Sequence, residues 1–212
     1  PAVQSNPTVI DDRKVDLLLA AVRQVASSGP VVTPDRIGVF LGTGLSSITP
    51  DELNVDIYPY VQNGRVNTQA ALADLTTRGG APARHMPARG TALVANLVGA
   101  QGPSGTSFSA CAASAEAIAA GARAIARGEA DVVYVGGHDS MIHPFGVLSF
   151  HVLGAITQTT GRPFDRNRDG FLLGEGAAIL RLERADLCAD PLAFICGAGS
   201  SVDAHGITAP HP

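Results

Sequence analysis

The sequence predicts an α/β fold built on a mixed, mostly parallel sheet. Three observations carry this. Residues 106–135 read as strand, helix, strand within about 30 residues, the length of a βαβ unit, whose strands lie parallel with a right-handed crossover. The apolar runs at 37–41 (IGVFL) and 131–135 (DVVYV) are short and uninterrupted, as strands buried on both faces are. Segments of three- and four-residue apolar spacing alternate with these runs.

Each element follows in order. Residues 11–26 (DDRKVDLLLAAVRQVA) read as a helix, with Val15, Leu18, Leu19, Val22 and Val25 on one face and Asp11 and Asp12 suited to its start. Residues 27–34 break the chain. The run at 37–41 reads as a buried strand ending in a tight turn at Gly42-Thr43-Gly44. Residues 65–78 and 87–100 read as helices, separated by a loop of Gly, Pro and Arg. Residues 106–110 form a short strand, 111–127 (CAASAEAIAAGARAIAR) an Ala-dense helix, and 131–135 a second buried strand ending at Gly136-Gly137. The runs at 171–182 (FLLGEGAAILRL) and 192–198 (LAFICGA) read as further strands. No internal repeat or low-complexity tract interrupts them.

Composition narrows the function classes. At 212 residues, with 45% apolar and 16% charged, the chain has the makings of one core-rich domain. A net charge of −4 argues against a general nucleic-acid binder. Three Cys without a CxxC pair do not make a disulfide scaffold, and the expected compartment is reducing and cytoplasmic. No segment reaches the roughly 18 apolar residues of a membrane span, and residues 1–12 lack the pattern of a signal peptide. The missing initiator Met and the stop at Pro212 are expected of cut ends.

Cys111 is the sharpest chemical feature. It falls where a strand passes into a helix, and first-turn N–H groups there are unpaired and positively polarised. That setting favours thiolate and can stabilise an oxyanion. The neighbours Ala110, Ala112, Ala113 and Ser114 are small enough to admit a substrate carbonyl. On position alone, a structural Cys packed like Ala is the alternative. Cys188 and Cys196 have no such setting. Residues 165–170 (DRNRDG) fit the start of a calcium loop, but the closing Glu is displaced: Gly176 stands in its place and Glu175 is one residue short. The segment therefore reads as a turn tied by Arg–Asp pairs. Gly42-Thr43-Gly44 and Gly197-Ala198-Gly199 both lack the third Gly of a dinucleotide loop. The six His (85, 138, 143, 151, 205 and 211) form no metal motif, and no metal site is expected.

Three stretches taken together resemble one family. They are Gly102-Pro103-Ser104 through Ser109-Ala110-Cys111-Ala112-Ala113-Ser114, then residues 128–137 (GEADVVYVGG), then residues 162–177 (RPFDRNRDGFLLGEGA). In this order and spacing they closely resemble the elongating β-ketoacyl-[acyl carrier protein] synthases of fatty-acid and polyketide synthesis. The closing Asp203-Ala204 and Ile207-Thr208-Ala209-Pro210 fit as well.

The resemblance implies a thiolase-like fold, with residues 1–212 as the N-terminal half of an α-β-α-β-α five-layered architecture. It implies that Cys111 accepts an acyl group from a carrier-protein thioester and passes it to a decarboxylated malonyl unit. Phe150 and Leu45 match residues lining the acyl pocket, and Arg13 and Lys14 match basic positions that receive the acidic carrier protein. No cofactor is implied beyond the 4′-phosphopantetheine that arrives on the carrier. The implied partners are acyl carrier protein and a second copy of the chain, paired through the strand at 106–110, or the C-terminal half. The family's catalytic His-Gly-Thr segment and its Lys-motif His have no counterpart here, and Lys14 is the only Lys. The first strand is likewise expected to be absent, and the chain alone is expected to be inactive. The competing reading is a non-catalytic, chain-length-factor type of partner subunit. Cys111 argues against it, because such partners lack the nucleophile.

Overall fold

The structure, a computed structural model, describes residues 12–26, 29–44, 54, 57–77 and 86–206. Helix α1 (Arg13–Val25) lies within the expected 11–26, with Asp12 as its N-cap. The Asp12 carboxylate accepts from the Lys14 amide at 3.2 Å, capping a first-turn donor that would otherwise be unpaired. Val15, Leu18 and Val22 are buried, as their spacing predicts.

Among the described residues four strands form one sheet in the order β4-β1-β5-β6. They are β1 (Ile37–Thr43), β4 (Ser104–Ser107), β5 (Val132–Ser140) and β6 (Glu175–Glu183). β1 pairs parallel with β4 and with β5, whereas β6 returns antiparallel to β5. A two-stranded hairpin of β2 (Val61–Gln62) and β3 (Arg65–Val66) stands apart. The helices among the described residues are α1, α2 (Thr68–Thr77), α3 (Arg89–Val98), α4 (Ala113–Ala126) and α5 (Pro144–Val152).

The pleat sorts β1 and β5 between two layers. Val39, Leu41, Val132 and Tyr134 join Leu18 and Val22 of α1, Val94 of α3 and Ile179 of β6 in the larger core. On the other face Val133 and Val135 pack with Ala130, Phe40, Leu182 and the α4 residues Ile118 and Ile125. The result is a three-layered α-β-α body. Its amino edge is clamped by charge. Asp131, just ahead of β5, accepts from Arg36 Nε at 2.9 Å and Nη2 at 2.8 Å, and from Arg184 Nη1 at 2.5 Å. The Arg36 guanidinium is the main reason its carboxyl sits below the usual range.

Several expectations shift. The strand expected at 106–110 lies at Ser104–Ser107, and Ala110 already belongs to a single 3₁₀ turn (Ala110–Ala112). The helix expected over 111–127 therefore starts at Ala113. β1 runs on to Thr43, and β5 passes through its double glycine to Ser140, because glycine there admits neighbours rather than ending the strand. Residues 65–78 are not one helix: Arg65 and Val66 pair across an Asn63-Gly64 turn before α2 begins. Both turn residues have positive φ, 51° and 72°, as a two-residue hairpin loop requires. β6 starts at Glu175 rather than 171. The run at 192–198 is not a strand. Leu192, Phe194 and Ile195 are exposed and pair with no strand among the described residues, and an apolar run needs such a partner to become one.

Candidate active site at the carboxyl edge of the sheet

Because β1, β4 and β5 run the same way, they end at one edge, at Thr43, Ser107 and Ser140. Such carboxyl edges are where α/β sheets bind ligands. β6 begins at that edge, with Glu175 in register with Ser140.

Cys111 stands there. It is exposed, four residues beyond the end of β4 at Ser107, in the 3₁₀ turn that leads into α4. Its predecessor Ala110 has φ 48°, a left-handed conformation that costs a non-glycine residue about 1–3 kcal/mol. Sequence reasoning missed this, since nothing in an alanine signals positive φ. The amides of Ala112 and Ala113 donate to the Ser109 and Ala110 carbonyls, so those two donors beside Cys111 are already paired. The expectation of unpaired first-turn N–H groups is narrowed accordingly.

The head of α4 rests directly on the sheet. A Cβ on Gly42 would lie 2.5 Å from the Ala113 carbonyl oxygen, and one on Gly137 would collide with Ser114 Oγ. The glycines of Gly42-Thr43-Gly44 and Gly136-Gly137 thus serve in part to seat the turn that carries Cys111.

The opposite face of the same edge is polar. Lys14 is only 7% exposed, because it shares a four-residue stripe with the buried Leu18 and Val22. It therefore lies beneath α1 rather than on its solvent face, where direct contact with a carrier protein would put it. Next to it in charge is His138, 4% exposed. Burial first, and then the Lys14 ammonium, push its imidazole down to about 4; the Gly42 carbonyl offsets part of this. His138 Nδ1 and Thr43 Oγ1 are buried with no hydrogen-bond partner of good geometry among the described residues. Burial raises the Asp139 carboxyl above its ordinary value, against the pull of the Ser140 and Gly44 amides, Lys14 and His143. Arg13 stays exposed and donates through Nε and Nη2 to Glu175 at 2.9 and 2.7 Å. Glu175 also accepts from Ser140 Oγ at 2.9 Å. Arg13 and then Ser140 hold its carboxyl low.

Phe150 is on α5, the helix that follows β5. No helix is expected there from the sequence, because its run of apolar residues has no single buried face. Its ring meets Phe171 edge-on, with centroids 5.3 Å apart and planes at 76°. Leu45 lies outside the described residues, as do His85 and His211. The turn at 165–170 is tied by hydroxyls as well as arginine. Asp169 accepts from Thr157 at 2.6 Å and Thr159 at 3.1 Å, and Arg168 donates to the Asp165 carbonyl rather than to a carboxylate. Among the described residues no group of three or more His, Cys, Asp or Glu is placed to hold a metal ion. Among them, too, no helix is long and apolar enough to cross a membrane.

A sheet of this topology, with a cysteine in the turn between an edge strand and a helix packed across it, defines the ketosynthase version of the thiolase-like fold. The family model for the beta-ketoacyl synthase N-terminal domain matches residues 7–187, and the chain belongs to that family. It is 30% identical over 217 residues to the 3-oxoacyl-[acyl-carrier-protein] synthase 2 of Staphylococcus aureus, covering 95% of this chain and 50% of the relative. A solved beta-ketoacyl synthase from Burkholderia phymatum superposes with a TM-score of 0.63 at 27% identity, over 82% of this chain and 41% of that one. A type II PKS ketosynthase solved in complex with its acyl-carrier protein shares the fold, with a TM-score of 0.63 at 22% identity over 84% of this chain and 45% of that one. The chain spans about half the length of the curated relative it matches.

Proposed function

We propose that this chain supplies the nucleophile half of a β-ketoacyl-[acyl carrier protein] synthase. The observation that carries the reading is the placement of Cys111: exposed, in a strained turn, at the carboxyl edge of the parallel strands. In the proposed reaction the Cys111 thiolate attacks the carbonyl of an acyl thioester on the carrier. The tetrahedral adduct expels the phosphopantetheine thiolate, which takes up a proton, and leaves an acyl-cysteine. A malonyl thioester then loses CO₂, and its enolate attacks the acyl-cysteine carbonyl. The Cys111 thiolate leaves, and a β-ketoacyl thioester remains. No cofactor resident on this chain takes part; the pantetheine arm comes with the carrier. The histidines for the second step lie outside the sequence matched here and come with a C-terminal half, on the same or another polypeptide.

Phe150 and Leu45 are assigned to the acyl pocket. Arg13 is assigned to carrier docking through its exposed charge, which an acidic partner would draw away from Glu175. Lys14 contributes to docking only as a buried charge behind it. β4 is an edge strand of the sheet, and a second copy pairing there is the proposed dimer contact, since an open edge otherwise invites unspecific pairing. A cytoplasmic location goes with these partners.

Intact-mass measurement after incubation with an acyl-carrier thioester, or with cerulenin, tests the reading. One acyl or inhibitor adduct on Cys111, lost in Cys111→Ala, is the expected result. Labelling only at Cys188 or Cys196 would overturn it. Because a non-catalytic partner subunit has no such nucleophile, the same measurement separates the two readings.

A further inference from the structure

We infer that Phe171 is a positioning residue that sets the orientation of the Phe150 ring, and through it the acyl length the site accepts. The inference rests on the assignment of Phe150 to the acyl pocket, but its geometric part stands alone. The two aromatic residues come from segments 21 positions apart and are brought together by a short backbone ladder. The Ala155 amide donates to the Phe150 carbonyl at 3.0 Å, and the Phe171 amide donates to the Ala155 carbonyl at 2.9 Å. The Thr157 amide donates to the Phe171 carbonyl at 3.1 Å, completing the isolated bridge between Ile156 and Phe171. The end of α5 is thereby bonded through one residue to the backbone that bears the second ring.

Two further features fix that backbone. Gly170 has φ 140°, and a Cβ on it would lie 2.6 Å from both the Ala155 oxygen and the Thr157 nitrogen, so only glycine permits the close pairing. On the other side of the glycine, Asp169 accepts from the Thr157 and Thr159 hydroxyls. Those hydrogen bonds hold its carboxyl below the ordinary range. The two hydrogen bonds form a clasp beside the glycine. Phe171 itself is 43% exposed, so core packing does little to hold it. Among the described residues its ring partner is Phe150, in the edge-on geometry that aromatic pairs favour.

Two measurements on the chain test this, one structural and one chemical. In the first, the ring signals of Phe150 are followed by NMR in protein labelled at phenylalanine. They should move in Phe171→Leu, which removes the ring current, and return toward their original positions in Phe171→Tyr. In the second, Cys111 is loaded from acyl thioesters of graded length and followed by intact mass. Phe171→Leu should change the ratio of long-chain to short-chain loading by about tenfold, the scale on which small pocket changes discriminate. Phe171→Tyr should restore it, and Thr157→Val, which opens the clasp, should move it the same way by less. Unmoved Phe150 signals in Phe171→Leu would overturn the inference. So would an unchanged length profile in Phe171→Leu alongside a changed one in Phe150→Ala. If Phe150→Ala also leaves the profile unchanged, the acyl-pocket assignment fails, and the NMR result alone decides the positioning.

Discussion

Gly137 of β5 faces Ser114 at the head of α4 so closely that any side chain at 137 would run into the serine hydroxyl. Gly137→Ala should therefore destabilise the chain by about 1–3 kcal/mol, the usual cost of overpacking. The obstacle is the tip of one short side chain, so Ser114→Gly should recover part of the loss. Urea unfolding of the two single variants and the double variant measures this. Coupling of less than about 0.5 kcal/mol would show that the two residues are independent.

His138 gives stability a defined pH dependence. Its folded value of about 4 lies below the ordinary 6.5. The unfolded chain therefore binds a proton more readily, and stability falls as pH drops from about 6.5 toward 4, by about 3 kcal/mol in all. Asp139 works in the opposite sense. Its raised carboxyl binds a proton more readily in the folded chain, which favours the folded state as pH falls through its folded value. Denaturant midpoints between pH 7 and 4 should drop in the parent chain and drop less in His138→Thr. An equal slope in both would rule out His138 as the source.

The core and the exposed apolar run should respond differently to truncation. Leu18 is fully buried between α1 and the sheet, and Leu18→Ala should cost about 2–5 kcal/mol. Leu192 is fully exposed, and Leu192→Ala should stay within about 0.5 kcal/mol of the parent. Thermal or urea melts of the two variants provide the comparison.

The 212-residue chain should alkylate at Cys111 with iodoacetamide yet form no β-ketoacyl product from acyl and malonyl carrier thioesters. Adding a C-terminal half from a homologous synthase should be required for condensation. Product formation by the chain alone, detected by mass spectrometry, would contradict the division of labour proposed here.

These residues also show what a sequence makes readable. The stripe of Val15, Leu18 and Val22 and the runs at 37–41 and 131–135 are direct images of burial, so α1, β1 and β5 could be read locally. Lys14 lies on the same stripe, and its charge masked the burial that its position implied. The Asn63-Gly64 turn carried a readable signal that the helical spacing after it obscured. α5 and the fate of 192–198 depend on what packs against them, which no local pattern contains. At the candidate site, the place of Cys111 between strand and helix was legible from the local pattern. The left-handed Ala110 and the Phe150–Phe171 contact were not, since one is a backbone angle and the other a contact between distant segments.

On β5 two adjacent residues answer to opposite layers: Gly137 makes room for the turn bearing the cysteine, and His138 fills the polar space under α1. The strand thus works as a ruler with a one-residue division. A slip by a single position would thrust an imidazole under the head of α4 and leave a glycine-sized gap beside Lys14. Correct pairing of β5 with β1 is therefore checked at the same place where the chemistry is proposed to occur, and a misregistered sheet could not present Cys111 in its strained turn at all.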